Sequence, residues 1–135
     1  MKKVAEKKFR SRLDAVVKAE RLTEKVTRKL NISEPERVDI CIAVTEAINN
    51  AVEHGNKLID DKFVTLLIEY SDDQLRITVK DQGGGFDLEA VEDPLSPENL
   101  TKPNGRGLLI VESLMDDVEV FSSATGTDVV MIKKR

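Results

Sequence analysis

The chain predicts a two-layer α/β sandwich, a mixed and mainly antiparallel sheet packed on three helices, in one domain spanning residues 1–135. Two long segments near the start carry apolar residues at helical spacing. Two later pairs of segments alternate apolar and polar residues with the period of a strand, and a third apolar helical stretch falls between those pairs. The length suffices for one real core, and no repeat, low-complexity tract or domain-sized linker divides it.

Residues 4–9 form a short opening strand of poor pattern. Ser11 then stands as an N-cap, with Asp14 three residues on. The first helix runs to about Leu30 on a stripe of Ala15, Ala19, Leu22, Val26 and Leu30. Ser33 and Glu36 make a capping box, with Pro35 in the first turn, so the second helix starts there. It continues to His54 and stops at Gly55. Its core face is expected to carry Val38, Cys41, Ile42, Thr45, Ile48 and Val52. Residues 62–70 and 74–80 read as strands, through Val64, Leu66, Ile68 and Tyr70, then Leu75, Ile77 and Val79, joined by a turn at 71–73. Residues 81–104 are rich in glycine and proline, with at most a short helix near 88–91, and read as a functional loop or lid. A helix over 107–115 and strands over 118–122 and 128–133, turned at 124–126, complete the sandwich.

Composition excludes several classes. Apolar residues at 40% and charged residues at 34% are ordinary for a soluble globular domain. A net charge of −4 argues against a nucleic-acid surface, which needs a basic stripe. The basic start, from Lys2 to Arg12, reads as a solvated strand and helix start. No apolar run follows it, so neither signal peptide nor membrane anchor is expected, and the default location is cytoplasmic. Cys41 is the only cysteine and His54 the only histidine, which leaves no disulfide framework, zinc cluster or nucleophile–histidine pair.

Three short boxes carry the chemistry. On the second helix, Glu46, Asn50 and His54 stand four apart and share one face. A carboxylate and an amide one turn apart can hold a hydrated Mg²⁺ through hard oxygen ligands. The carboxylate can instead accept a proton from an attacking hydroxyl. The plainer alternative is the wet side of an amphipathic helix, yet Asn49 and Asn50 in succession mid-helix work against local propensity. His54 reads as a C-terminal cap or pocket wall. The second box, Asp81 to Gly85, follows a strand directly. Its glycines let a flat ligand lie against the backbone, and an acceptor-only carboxylate suits an exocyclic amine such as that of adenine. In the third, Gly105-Arg106-Gly107 leads into an apolar helix whose first amides favour phosphate, with Arg106 able to add charge. In this order the boxes outline an ATP pocket. Neither a Gly-x4-Gly-Lys-Ser/Thr loop nor a Gly-x-Gly-x-x-Gly turn is present.

These boxes resemble the N, G1 and G2 boxes of the GHKL ATPase superfamily. The strings Glu-Ala-Ile-Asn-Asn-Ala-Val-Glu-His-Gly (46–55), Gly-Arg-Gly-Leu (105–108) and Leu-Met-Asp-Asp-Val (114–118), with the Gly126-Thr127 pair, are similar to one branch, the bacterial anti-sigma-factor serine kinases. The resemblance implies the Bergerat ATP-binding fold and ATP with Mg²⁺ as cofactors. Asn50 would be the Mg²⁺ ligand, and Glu46 the general base, touching the metal at most through water. Asp81 would bind the adenine amine, with Gly83 and Gly85 shaping the base pocket and His54 and Thr127 contributing to it. Gly105 and Gly107 would offer backbone amides to the phosphates under a lid at about 95–104. Some members place an arginine just before these glycines, where this chain has Pro103 and Asn104. That leaves Arg106 or Lys102 for the terminal phosphate. The partners implied are a sigma factor, which the kinase sequesters, and a small STAS-domain antagonist, which it phosphorylates on serine. A homodimer is typical of the branch, and no contact with nucleic acid or membrane is implied. The same pocket also suits an ATP-binding module with little kinase activity, or a histidine-kinase-type catalytic domain.

Overall fold

The computed structural model describes residues 1–83 and 103–135, with backbone only for 103–107. The elements in order are β1 (Lys2–Arg10), α1 (Asp14–Lys29), α2 (Glu34–Asn50) continued by a π-helical turn (Ala51–Gly55), β2 (Phe63–Tyr70), β3 (Gln74–Lys80), α3 (Pro103–Leu114), β4 (Asp117–Ser123) and β5 (Gly126–Lys134). The five strands lie in the order β1-β2-β3-β5-β4, and every described pairing is antiparallel. The expected short helix near 88–91 and most of the expected lid fall outside the described residues.

Strict alternation in the central strands builds the core. Leu66 faces Val79 and Ile68 faces Ile77, which in turn faces Met131 of β5, and all are buried. Against this layer lies α2, flanked by α1 and α3. Its buried residues are Ile40, Ala43, Val44, Ala47 and Ile48. The expected core face is therefore corrected: Val38 and Ile42 are 50% and 43% exposed. The cause is position. A helix between two others carries apolar residues on both flanks, so periodicity cannot say which seam meets the sheet.

Two caps also differ. Ser11 does not cap α1, which begins at Asp14 without a side-chain cap; its hydroxyl is buried and accepts a hydrogen bond from Asn56. Ser33 does precede α2, but only its carbonyl takes part, accepting from Arg37 N–H at 2.8 Å. Along α1, Thr23 and Thr27 join the buried stripe because each hydroxyl donates to a carbonyl one turn back, at 2.8 Å. The last helix starts at Pro103, one turn earlier than expected, so the Gly105–Gly107 pair sits within it.

The corrected face of α2 makes a direct prediction. Ile48→Ala should cost about 2–5 kcal/mol, as a truncation in a filled core. Ile42→Ala should cost less than about 1 kcal/mol. Urea denaturation of both variants checks this, and equal losses would contradict the placement.

Candidate nucleotide-binding site

A cavity of about 210 Å³ opens where the end of α2, the exit of β3, the start of β5 and α3 converge. Asn50, His54, Gly55, Asp81, Gly83 and Thr127 line it, with Val79, Leu108 and Val129 as an apolar wall. The π-helical turn shapes its floor. Asn56 N–H reaches back five residues to Ala51 O at 2.8 Å, widening the last turn of the helix. Gly55 thereby lies directly under Asp81, where a Cβ would come within 2.3 Å of Oδ2. A Cβ on Gly83 would meet the Gly55 carbonyl at 2.2 Å, and one on Gly126 the Asp81 carbonyl at 2.1 Å. The three glycines are thus the room in which Asp81 sits.

Asp81 is anchored asymmetrically. Its Oδ1 accepts from Gly83 N–H at 3.0 Å and Thr127 N–H at 3.1 Å, while its own N–H donates to Thr127 O at 2.9 Å. Among the described residues no donor reaches Oδ2. Burial pushes the carboxyl above its ordinary value, the two N–H groups pull it back, Asp128 adds to the rise and Lys62 opposes it. The arrangement is a fixed acceptor, partly desolvated, with one oxygen that no described residue satisfies.

Asn50 is the second unsatisfied group. Its amide nitrogen is buried and has no partner among the described residues. Such a group costs about 1–3 kcal/mol unless a ligand meets it. Among the described residues Glu46, one turn earlier, is not part of this cavity's lining. It lines a groove of about 500 Å³ between α1 and α2, beside Cys41, Ile42 and Thr45 and across from Glu20 and Glu24. The two residues therefore open onto different concavities that share the α2 ridge. His54 lies at the cavity wall with Nε2 4.0 Å from the Glu53 carboxylate. Gly85 and Lys102 lie outside the described residues, and the Arg106 side chain is likewise not described. Gly105 falls in the first turn of α3, where helix amides lack intrahelical partners, and Gly107 falls one step beyond it.

The sequence did not reveal the roles of Gly55, Asn56 or Gln82. Gly55 looks like a helix stop, and Asn56 like the loop residue after it. Only a buried polar network, which depends on distant segments, distinguishes them.

Residues 9–133 match the family profile described as histidine kinase-like ATPase domain. The chain belongs to that family, and its use of a nucleotide follows. Within it the chain is similar to proteins named as serine-protein kinases and as anti-sigma factors. It is 39% identical over 102 residues to the serine-protein kinase RsbW of Staphylococcus epidermidis, covering 70% of this chain and 64% of that protein. It is 36% identical over 104 residues to an anti-sigma F factor of Clostridium perfringens, covering 73% of each. The match to RsbW thus spans just under two thirds of that relative's length. The crystal structure of the RsbU and RsbW domains of a Mycobacterium tuberculosis protein superposes with a TM-score of 0.72 at 18% identity, over 96% of this chain and 31% of that one. At that identity the superposition shows the shared fold.

The raised pKa of Asp81 gives a prediction with a definite sign. A carboxyl whose folded pKa lies above its ordinary 3.8 contributes stability that is full below 3.8 and is lost as pH rises through the folded value. Asp81→Asn should therefore raise the melting temperature of the nucleotide-free protein at neutral pH, with the gain closing below 3.8. Thermal unfolding across that range checks it. A gain that grows toward acid would contradict the assignment.

Proposed function

We propose that this domain is an ATP- and Mg²⁺-dependent anti-sigma factor and serine kinase of the cytoplasm. In this reading it holds a sigma factor and phosphorylates a serine on a small antagonist protein. One observation carries it: Asp81, with Oδ1 held by two backbone amides and Oδ2 unmet among the described residues, shares a cavity with Asn50, whose amide nitrogen has no partner among them. The names of the matched relatives, a serine-protein kinase and an anti-sigma factor, support it.

Asp81 Oδ2 accepts the exocyclic amine of adenine, and Gly55 and Gly83 leave room for the ring edge against the backbone. Val79, Leu108 and Val129 cover the base and exclude water. The residues also fit the metal, because Asn50 lines the cavity with an amide whose oxygen is a hard donor of the kind Mg²⁺ takes. Bound Mg²⁺ supplies charge neutralisation for the phosphates, with Asn50 as its protein ligand and Glu46 reached at most through water. Gly105, in the first turn of α3, would offer its backbone amide to the phosphates. Glu46 faces the α1–α2 groove, the side from which a protein substrate can approach along the helix ridge. As general base it would take the serine proton as the hydroxyl oxygen bonds to the terminal phosphorus and the bond to the leaving ADP breaks.

That Glu46 is not part of the described cavity lining also gives a binding-only module something to stand on, and one pair of variants decides. Glu46→Gln should leave Mg-ATP affinity nearly unchanged and cut single-turnover phosphorylation of the antagonist by about 10²–10⁴-fold. Asn50→Ala should instead weaken Mg-ATP binding by at least about tenfold. Equal transfer rates in wild type and Glu46→Gln would remove Glu46 as the base. No transfer by the wild type to its antagonist would favour the binding module.

A further inference from the structure

The geometry points to Asn56 as a positioning residue that aims the Asp81 carboxylate and thereby sets discrimination for the amine of the base. The inference rests on the reading of Asp81 as the adenine acceptor. Asn56 is fully buried, and a polar side chain in that position must be satisfied to be tolerated. It is satisfied at both ends. Nδ2 donates to Ser11 Oγ at 2.7 Å and to Phe63 O at 2.9 Å, and Oδ1 accepts from Gln82 N–H at 2.7 Å. One amide thus joins the β1–α1 junction, the start of β2 and the exit of β3.

The choice of partners separates a positioning role from ordinary core filling. The single acceptor of Asn56 is spent on the N–H of Gln82, the residue next to Asp81. Gln82 returns a second tie, its Oε1 accepting from Phe63 N–H at 2.7 Å, so both ties converge on the first residue of β2. On its other side, among the described residues, Thr127 of β5 alone holds Asp81. Its remaining bond, from Gly83 N–H to Oδ1, exists only while the 82–83 backbone stays where Asn56 holds it. Asn56 also directly follows Gly55, the floor beneath Oδ2. After it, Lys57 and Leu58 adopt φ of 53° and 59°, a left-handed conformation that ordinary residues avoid. Strain of this kind persists where the surroundings dictate it, and here the surroundings hold the Asn56 side chain inward. Without the amide, the 82–83 backbone swings and Oδ2 loses its direction, while the Asn50 side of the cavity is untouched.

The test compares ATP with purine riboside triphosphate, which lacks only the exocyclic amine, by calorimetric titration. The wild type should bind ATP at least about tenfold more tightly, the worth of a hydrogen bond to a charged acceptor. Asn56→Ala should bring that ratio down by at least about threefold through loss of ATP affinity, with the amine-free nucleotide changed by less than about twofold. A purely structural role would weaken both nucleotides alike. Gln82→Ala, at an exposed side chain, removes only the outer tie and should lower the ratio in the same direction, which keeps the test decisive if Asn56→Ala does not fold. Equal binding of the two nucleotides by the wild type would remove the base contact itself, and this inference with it. A normal wild-type ratio that persists in whichever variants fold would overturn the positioning role alone.

Discussion

A carboxylate taken out of water must recover its lost hydration from the protein, and at Asp81 the described residues return half of it. Two backbone amides, from Gly83 and Thr127, satisfy Oδ1; among the described residues nothing satisfies Oδ2. Much of the surrounding structure exists to permit this. Gly55, Gly83 and Gly126 each clear space that a methyl group would occupy, and the π-helical turn brings Gly55 beneath the carboxylate. Burial raises the proton affinity of the group, so the free protein carries an unfavourable charge that a donor in the cavity would relieve.

The other local costs gather at the same place. The Asn50 amide nitrogen, buried without a partner among the described residues, the left-handed pair Lys57–Leu58 and the widened last turn of α2 all lie within a few residues of the cavity. Elsewhere the fold is conventional. Alternating strands bury Leu66, Ile68, Ile77 and Val79 against a helix of small and branched residues, and the lysine-rich outer strand β1 leaves its edge unattractive to further pairing. A well-packed half thus holds a strained half in place, the usual division between scaffold and site.

The same division explains what the sequence disclosed. β2 and β3 were legible almost to the residue because a half-buried strand writes its facing into every second position. The facing of α2 was not, since Val38 and Ile42 are as apolar as Ile40 and Val44, and only the presence of α1 and α3 decides between them. Ser11 looked like a cap because a hydroxyl before a helix commonly is one, but Asn56, 45 positions away, claims it. Of the site, Asn50, His54, Asp81, Gly83 and Thr127 do share one cavity. Among the described residues Glu46 and Asn50 line different concavities, a distinction that helical spacing alone does not draw.

The central claim is that Asp81 Oδ2 waits, partly desolvated, for a donor on the base. Its most direct test is the carboxyl carbon resonance of Asp81, assigned by loss in Asp81→Asn and followed through pH with and without nucleotide. The account predicts a pKa above the ordinary 3.8 in the free protein and a clear fall when ATP binds, since a donor at Oδ2 favours the ionised form. A pKa that ATP leaves unmoved, while the protein is saturated with it, would contradict the account.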